Sequence, residues 1–410
     1  MSKERVDIKI KPLGLLDLLS FKKLIPYRKK RIQNASPEII NETPPMNVLA
    51  KKLHPREQHM IVESVTQETP LAKTYRLVPN KEKGTTELAY FRPGQYLSFT
   101  FDIEGSTVTR PYSISSSPGK ALEGYYEITV KRDEGGFVSN YIWQNWSTGT
   151  QVICGGPEGY FYYDNLRDKK NLVGLAGGCG ITPFMSMAQS IVDGTFDINL
   201  VIFYGCNKKE DIIYHDKLNS LQEESNGKLK VIYVLAQQEA EGFEKGFITA
   251  PLIKKYVDVH NSSFFICGPQ AMYDFLAKEF EKLNLRRKFI RRELFGEIKN
   301  VESLDDFPKD VAGKEFKVKV HIGGISKEIP ASSTETVLVA MERAGLCPPS
   351  SCRSGVCGVC RSLLISGRVY IPEDEDGRRQ ADIKYGYIHP CASFPVGDLE
   401  IIVPRRKRSS

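Results

Sequence analysis

Short stretches of alternating or β-branched character run from about His59 to Ile153. Examples span residues 73–78, 95–101 and 126–131, and turns rich in glycine, proline and serine separate them. Because successive side chains of a strand point to opposite faces, such a pattern is typical of half-buried strands. It predicts an antiparallel β-barrel in this part of the chain.

The pattern changes at Asn171, where continuous apolar runs begin to alternate with helical patterns. The runs are NLVGLA, NLVIFYG, KVIYVLA and SFFICG, and the helical patterns lie near residues 184–193, 210–224 and 270–283. Such alternation is typical of a parallel sheet with helices on both faces. This region is therefore predicted to be an α/β domain.

The last quarter of the chain opens with an acidic, proline-containing stretch, residues 300–313, that has no clear periodicity. We interpret it as a linker. Beyond it, FKVKVHI predicts a strand and ETVLVAMERAG a helix, before a cysteine-rich loop and a closing strand, LEIIV. The predicted fold is thus multidomain, with a third, smaller α+β domain at the end.

The composition agrees with several globular domains. The chain has 410 residues, of which 41% are hydrophobic and 26% charged, and this length exceeds what a single core normally organises. No apolar run approaches the roughly 18 to 20 residues that cross a bilayer. Because residues 1–30 also lack a secretory signal pattern, we expect a soluble or peripheral protein in the cytoplasm.

The net charge of +7 is localised in residues 1–55, which hold 12 Lys and Arg against 5 Asp and Glu. The rest of the chain is neutral, and no nucleic-acid partner is expected. Within this basic extension lies an apolar stretch that Pro26 ends and that Arg28, Lys29, Lys30 and Arg31 follow. A basic amphipathic segment of this kind can dock on an anionic bilayer or an acidic partner. The alternative is a helix packed on the body of the protein, followed by a solvated basic tail.

Five of the nine cysteines lie in the last 64 residues, which favours a metal site over disulfides. Cys352, Cys357, Cys360 and Cys391 have the spacing C-x4-C-x2-C followed by a distant cysteine. Four thiolates complete the coordination of two irons, so the spacing predicts a 2Fe-2S cluster. A zinc ribbon is the alternative, but it usually has two separated cysteine pairs. Cys347 is interpreted as a buried neighbour of the loop and not as a ligand.

Arg110, Tyr112 and Ser113 follow one another at the end of a predicted barrel strand. A flavin site needs a cation for the phosphate, an aromatic side chain against the isoalloxazine ring and a hydroxyl near the ring nitrogen that accepts hydride. These three residues supply them, although a strand end with solvated Arg and Tyr side chains is the plain alternative. Downstream, GGFVS precedes a short helical stretch whose free amides could hold a pyrophosphate.

Two further motifs each follow an apolar strand and open a helix. The first, AGGCGITPF at residues 176–184, has three glycines that permit close approach of a nucleotide. It lacks the G-x-G-x-x-G order of the Rossmann fingerprint. The second, Cys267-Gly268-Pro269, is by itself equally consistent with a buried cysteine before a proline that opens a helix.

Taken together and in this order, the motifs resemble the ferredoxin–NADP reductase superfamily, joined to a domain that resembles plant-type ferredoxins. The superfamily carries RxYS, GGxGITP, CGP and a final ExF, present here as Glu293-Leu294-Phe295. The resemblance covers about residues 60–405 and is strongest to reductase components of multicomponent oxygenases and of hybrid-cluster protein. It implies an FAD-binding barrel at 56–165, an NAD(P)-binding domain at 166–299 and a β-grasp 2Fe-2S domain at 314–410. It leaves the basic extension at 1–55 unexplained, and the linker at 300–313 rests on composition alone.

The resemblance also implies a role for each motif residue. Arg110 would bind the flavin phosphate, Tyr112 and Ser113 the isoalloxazine, and Gly136, Val138 and Ser139 the pyrophosphate. Nicotinamide nucleotide would lie against Gly178, Gly180, Thr182, Pro183, Cys267, Gly268 and Pro269, with Phe295 near the ring. Tyr112, Ser113, Cys267 and Phe295 are the expected catalytic residues. The four cysteines at 352, 357, 360 and 391 would bind the cluster.

The cofactors expected are therefore FAD, with FMN possible, NADH or NADPH, and one 2Fe-2S cluster. The sequence does not decide between NADH and NADPH. A 2′-phosphate could be bound by Lys208 and Lys209, but it would be repelled by Glu210 and Asp211. The expected function is an NAD(P)H-dependent reductase that delivers single electrons to a partner metalloprotein. The alternatives are a redox-sensing or assembly subunit with little turnover, and an electron-transfer subunit of a pyrimidine-biosynthetic dehydrogenase, in which the last cysteine follows much sooner.

Overall fold

The computed structural model describes residues 14–35, 43–294, 296–373 and 376–404. The chain divides into two compact units, Met1–Leu49 and Ala50–Ser410. The helices are α1 (Leu15–Gln33), α2 (Pro45–Leu53), α3 (Pro118–Leu122), α4 (Phe137–Asn145), α5 (Thr182–Val192), α6 (His215–Glu224), α7 (Ala250–Tyr256), α8 (Gln270–Glu281), α9 (Val337–Arg343) and α10 (Gln380–Lys384).

Helix α1 contains much of the apolar stretch found in the basic extension. Leu19, Leu24 and Ile25 are exposed by 52%, 55% and 63%. With 3.6 residues per turn, these positions point in different directions around the helix axis. The segment is helical, but its apolar side chains do not share the single face that an amphipathic helix requires. Among the described residues, no helix combines the length and apolar character that a membrane crossing needs.

The first sheet is antiparallel and contains every strand predicted between residues 59 and 153. Its order is β4-β3-β6-β1-β2-β5. A bridge between Ile114 and Ile128 joins its two outer strands and closes it as a barrel. Tyr75, Phe99 and Trp146 pack inside. The strands are β1 (Gln58–Thr69), β2 (Ala72–Pro79), β3 (Tyr96–Ile103), β4 (Ser106–Ser113), β5 (Tyr126–Lys131) and β6 (Gln151–Cys154).

The second sheet is parallel, in the order β10-β9-β8-β7-β11-β12. Helices cover both faces, as predicted: Phe184 and Leu218 belong to one core cluster, and Ile253 and Leu276 to the other. The four apolar runs form strands of this sheet. The strands are β7 (Asn171–Gly177), β8 (Asn199–Cys206), β9 (Leu229–Leu235), β10 (Glu244–Lys245), β11 (Ser262–Cys267) and β12 (Ile290–Glu293).

The helix predicted at residues 210–224 begins later, at His215. Residues Lys209–Asp211 form a separate 3₁₀ turn. Tyr214 separates the two segments because its φ is +64°, a left-handed conformation that a continuous right-handed helix does not accept. The sequence gives no warning of this break, since tyrosine is an uncommon residue at such a φ.

The stretch interpreted as a linker, residues 300–313, is a packed segment. It contains two 3₁₀ turns, Val301–Ser303 and Lys309–Val311. Val301, Phe307 and Val311 are buried against Phe394 in a small core of their own. Their irregular spacing matches neither the period of a strand nor that of an α-helix, which is why no element is predicted there.

The last sheet is mixed, in the order β14-β13-β19-β15-β17, with β13 and β19 parallel and α9 packed on it. A two-stranded ribbon, β16-β18, lies beside it. This arrangement is the predicted α+β domain. The strands are β13 (Glu315–Ile322), β14 (Ile325–Ser332), β15 (Ser362–Ser366), β16 (Val369–Tyr370), β17 (Tyr387–Ile388), β18 (Phe394–Pro395) and β19 (Leu399–Val403).

Candidate active site

The four predicted cluster ligands lie together. The Sγ atoms of Cys360 and Cys391 are 3.4 Å apart, although 30 residues separate them in sequence. Cys352 and Cys391 are buried, and Cys357 is partly buried. Gly355 and Gly358 adopt left-handed φ values of +76° and +73°, which glycine accepts without steric cost and which let the loop curl around its own sulfurs.

Backbone amides of the loop point at these sulfurs. The amide of Gly355 donates to the Sγ of Cys391 at 3.2 Å, and that of Cys357 to the Sγ of Cys352 at 3.4 Å. Amide donors stabilise negative charge on thiolates, so the loop suits anionic ligands. Two irons of a 2Fe-2S cluster take two thiolates each, so the four cysteines of this loop fit the donor set that such a cluster needs.

Cys347 differs from its prediction. It is exposed, although we expected a buried neighbour of the loop. Two prolines follow it directly, Pro348 and Pro349, and proline cannot continue the regular hydrogen bonding of a helix or a central strand. The residues on either side, Leu346 and Pro348, are buried, so the chain stays at the domain core and Cys347 alone turns toward the surface.

The predicted flavin residues lie at the end of barrel strand β4. Ser113 is buried and pairs in register with Tyr96 of β3. Tyr112 is partly buried, and its ring meets that of Phe99 edge to face at 6.0 Å. Arg110 donates from Nη1 to the carbonyl of Thr109. Burial lowers the pKa of Arg110, and the positive charge of the nearby Arg353 lowers it further. The charged guanidinium is therefore destabilised there, and a bound anion would stabilise it.

Glu293, the last residue of strand β12, reaches the same place from the α/β domain. The hydroxyl of Ser113 and the Oε2 atom of Glu293 are both buried and lie near each other, and neither completes a hydrogen bond of normal geometry within the described structure. Burial raises the pKa of the Glu293 carboxyl to about 8, and the charge of the Cys352 thiolate adds to this. Buried polar groups without partners are rare, so these two atoms fit a site that a polar ring system completes. The residues present fit a flavin.

The predicted pyrophosphate residues surround the start of helix α4. Gly136 is the residue before the helix, and a Cβ atom there would lie 2.3 Å from the hydroxyl of Ser139, so a larger residue would displace that hydroxyl. That hydroxyl already accepts a hydrogen bond from the amide of Asp133. The side chain of Val138 is buried in the barrel core, which leaves only its backbone for a cofactor.

The two predicted nucleotide motifs adjoin at the carboxyl ends of strands β7 and β11. A Cβ atom on Gly180 would lie 2.0 Å from the carbonyl oxygen of Cys267, so glycine is required where the loops meet. Gly178 has a left-handed φ of +52°. Thr182 and Pro183 are buried in the first turn of α5. The hydroxyl of Thr182 donates to the carbonyl of Cys179, so it also shapes the loop.

A cavity of about 520 Å³ opens beside these motifs, with Gly178, Cys206, Asp211 and Pro269 among its lining residues. Its position at the carboxyl ends of parallel strands is where α/β sheets bind ligands. Burial raises the pKa of the Cys267 thiol well above its usual value, so this cysteine is neutral at the pH of a cell. The predicted ring contact Phe295 lies outside the described residues.

The cluster loop also contacts the barrel directly. Ser351, the residue before Cys352, lies with its hydroxyl 2.8 Å from that of Ser98 on strand β3. It also donates to the carboxylate of Glu158. The loop and the flavin residues are thus held at one junction within Ala50–Ser410.

Some residues of this junction were missed at the level of sequence. Glu293 was noted only as the first letter of a motif whose role was given to Phe295, and a lone glutamate at a strand end carries no signal of burial. Ser98 and Glu158 lie in no motif at all. Ser351 and Arg353 stand inside the cysteine motif but are not ligands, and only the fold shows what they contact.

Comparison with known proteins agrees with this geometry. Residues 59–163 match the oxidoreductase FAD-binding domain, residues 175–278 the oxidoreductase NAD-binding domain, and residues 320–396 the 2Fe-2S iron-sulfur cluster binding domain. The chain is 31% identical over 328 residues to the glycine betaine monooxygenase reductase subunit of Pseudomonas aeruginosa, an alignment that covers 77% of this chain and 87% of that one. The chain belongs to this family of FAD- and 2Fe-2S-dependent reductases.

Two further known proteins are similar to most of this chain. The NADH oxidoreductase HCR of Escherichia coli is 27% identical over 341 residues, which cover 83% of this chain and 96% of that one. The crystal structure of phthalate dioxygenase reductase superposes with a TM-score of 0.61 at 23% identity, over 85% of this chain and 98% of that one. The chain is accordingly an NAD(P)H-dependent reductase of this family, which delivers electrons to a metalloprotein partner.

Proposed function

We propose that the reductase holds its flavin at the end of strand β4 and its cluster in the four-cysteine loop, and that its acceptor is the metal-containing component of an oxygenase. The observation that carries the proposal is the junction at which the cluster loop contacts the barrel through Ser351 and Ser98. The names of relatives support the acceptor class, since they include reductases of glycine betaine monooxygenase and of 3-ketosteroid-9-alpha-monooxygenase.

The residues present divide the work between binding and electrostatics. Bound FAD would supply the step that joins two-electron and one-electron chemistry, because flavins accept a hydride and return electrons singly. Arg110 would hold its phosphate, and the hydroxyl of Ser113 and the carboxyl of Glu293 would complete their hydrogen bonding on its ring. The Gly178 and Gly180 loops leave room for the nicotinamide nucleotide. The amides of the cluster loop stabilise the charge of the thiolates.

Rapid mixing with NADH under anaerobic conditions tests this function. We expect the flavin absorbance and then the cluster absorbance to bleach faster than steady-state turnover. Addition of the native acceptor should restore both. Bleaching slower than turnover with any acceptor would instead support a sensing or assembly subunit and contradict the proposal.

For the nucleotide, we propose NADH. Asp211 lines the cavity beside the nucleotide motifs, while Glu210 lies in a separate surface pocket with Lys208 and Lys209. A carboxylate can accept hydrogen bonds from a ribose diol but repels a 2′-phosphate. The two lysines have other contacts: Lys208 Nζ lies 3.8 Å from Glu210, and Lys209 Nζ lies 5.6 Å from the centre of the Phe243 ring.

We therefore expect a higher kcat/KM with NADH than with NADPH. Asp211→Asn should lower kcat/KM with NADH about tenfold, the effect of weakening one hydrogen bond to a charged group. Glu210→Gln is the matched control, because it removes the neighbouring charge without changing a residue that lines the main cavity, and it should change kcat/KM with NADH little. Preference of the unmodified protein for NADPH would contradict the proposal.

For helix α1, we propose a role in docking on an anionic bilayer surface. Its apolar side chains surround the axis over the first half, and four cations, residues 28–31, follow. The exposed apolar side chains, among them Leu16, Phe21 and Ile25, would leave water at such a surface. Cations near an anionic surface each contribute on the order of 1 kcal/mol.

Deleting residues 1–42 tests this role and removes 10 of the extension's 12 cations. The cut leaves α2 intact and retains the hydrogen bond from the amide of Gly156 to the carbonyl of Pro55. We expect the full chain, but not the shortened one, to sediment with phosphatidylglycerol-containing vesicles, most strongly at low salt. Flavin reduction by NADH should be equal in both. Failure of the full chain to sediment, with salt-dependent loss of acceptor turnover on deletion, would point to an acidic protein partner instead.

A further inference from the structure

Arg353 of the cluster loop has a fully buried side chain that contacts three parts of the fold. Its guanidinium makes a two-point ion pair with Glu342 of helix α9, at 2.5 and 2.8 Å. Its Nε donates to Glu297 at 2.5 Å, four residues beyond strand β12. Its Nη1 atom also lies 3.4 Å from the carbonyl oxygen of Thr109 on barrel strand β4.

The two carboxylates differ in what they connect. Glu342 belongs to the same small domain as Arg353, so their pair already neutralises the buried cation within that domain. Glu297 comes from the end of the nucleotide domain, and its pair with Arg353 crosses between domains. One carboxylate is enough to neutralise the buried guanidinium of Arg353 within the cluster domain, so Glu297 is not needed for that purpose. Its negative charge is balanced across the junction by Arg110, the predicted flavin-phosphate ligand, whose electrostatic partners include Glu297 and Glu342.

Arg353 stands directly after Cys352, and its φ of +58° fixes the direction in which the loop leaves that ligand. A residue other than glycine persists in this conformation only where its surroundings hold it. The three contacts of the guanidinium provide that support. Whatever holds Arg353 therefore also fixes where the first cluster ligand lies relative to strand β4.

We propose that Glu297 is a positioning residue for electron transfer: its ion pair with Arg353 holds the cluster loop against the flavin end of the barrel. The inference rests on the proposed function, in which the cluster occupies the four cysteines and the flavin lies at β4. NADH supplies two electrons as a hydride, and the cluster takes them one at a time, each passing on to the acceptor before the next arrives. Glu297 is neither a cluster ligand nor a residue assigned to the flavin, and its side-chain hydrogen bond goes to Arg353, so the effect proposed for it is on the position of the cluster loop.

The test compares Glu297→Gln with Glu335→Gln in the full-length protein that carries flavin and cluster. Glu335 is a matched control because its side chain has the same exposure as that of Glu297, 20%, and also pairs with an arginine, Arg343, but within one domain. Each variant is mixed anaerobically with NADH, and the bleaching of flavin and of cluster is followed separately. Hydrogen exchange of residues 106–113 and 351–354 is measured without NADH.

We expect Glu297→Gln to keep the cluster absorbance and the rate of flavin bleaching, while cluster bleaching slows about tenfold or more, since small displacements at a reacting junction have large rate effects. Exchange in both segments should become faster. Glu297→Asp, which retains the charge, should recover part of the cluster rate. Glu335→Gln should behave as the unmodified protein.

Three results would overturn the proposal: cluster bleaching in Glu297→Gln within twofold of the unmodified rate, an equal slowing in Glu335→Gln, or loss of the cluster from Glu297→Gln. The last would show that Glu297 serves the assembly of the loop and not its position. Failure of the proposed function is distinguishable, because the unmodified protein would then show no cluster bleaching at all. The exchange measurement needs no electron flow and would still decide whether Glu297 holds the two segments together.

Discussion

Replacing Cys357 or Cys360 by serine should abolish the visible absorbance of the cluster and the reduction of a haem-protein acceptor, while the reduction of ferricyanide by NADH persists. A serine hydroxyl does not readily replace a thiolate at iron, and loss of one of four ligands leaves a coordination position open. The flavin residues lie on a different domain, and ferricyanide can take electrons from flavin directly. The two activities should therefore separate.

Cys347→Ser is the control for this experiment. It changes an exposed cysteine five residues before the first ligand, and it should leave both activities and the absorbance unchanged. If both activities disappear in Cys357→Ser while the flavin stays bound, the proposed order of electron flow is wrong.

Replacing Arg110 by alanine should release the flavin and eliminate every activity. A charge-assisted hydrogen bond to a phosphate is worth about 1.5–3 kcal/mol, or roughly tenfold to more than a hundredfold in flavin affinity. The ratio of flavin to protein after gel filtration measures the loss. Full retention of flavin would contradict the assignment of Arg110.

Arg110 also lies among buried charges, so a general loss of stability must be separated from a loss of binding. Arg110→Lys retains the charge without the bidentate geometry and should bind flavin weakly. Arg76→Ala, in strand β2 of the same barrel, removes a surface arginine paired with Glu127 and should keep its flavin. Thermal unfolding of the flavin-free proteins shows whether the barrel itself remains folded.

The sequence predicts most of the architecture because the barrel and the parallel sheet bury residues at regular periods. Residues 73–78, whose alternation predicts a strand, lie in strand β2, and the apolar run SFFICG forms strand β11 between β7 and β12 of the parallel sheet. The four cysteines were likewise predictable, since thiolate spacing is set by the cluster and not by the rest of the fold.

Features that depend on contacts between distant residues were not predictable. Val301, Phe307 and Val311 become a core only because Phe394, far along the chain, covers them. The raised pKa of Glu293 arises from burial between domains, and a sequence does not show which strand ends meet. The exposure of the apolar residues of α1 likewise depends on three-dimensional position. The failure of the amphipathic prediction is different, because the spacing of those residues along the sequence does not give a single apolar face.

Strand β4 has a neighbour along its full length on one side only, because its contact with β5 is limited to the Ile114–Ile128 bridge. An open strand edge exposes backbone groups that can pair with another chain and promote aggregation. Here the cluster domain covers that edge: the hydroxyl of Ser106 donates to the carbonyl of Glu342, and Arg353 approaches the carbonyl of Thr109. The predicted iron–sulfur domain thus lies against this edge of the barrel, and we expect a chain shortened to the flavin and nucleotide domains to expose β4 and to associate more readily, which size-exclusion chromatography would measure.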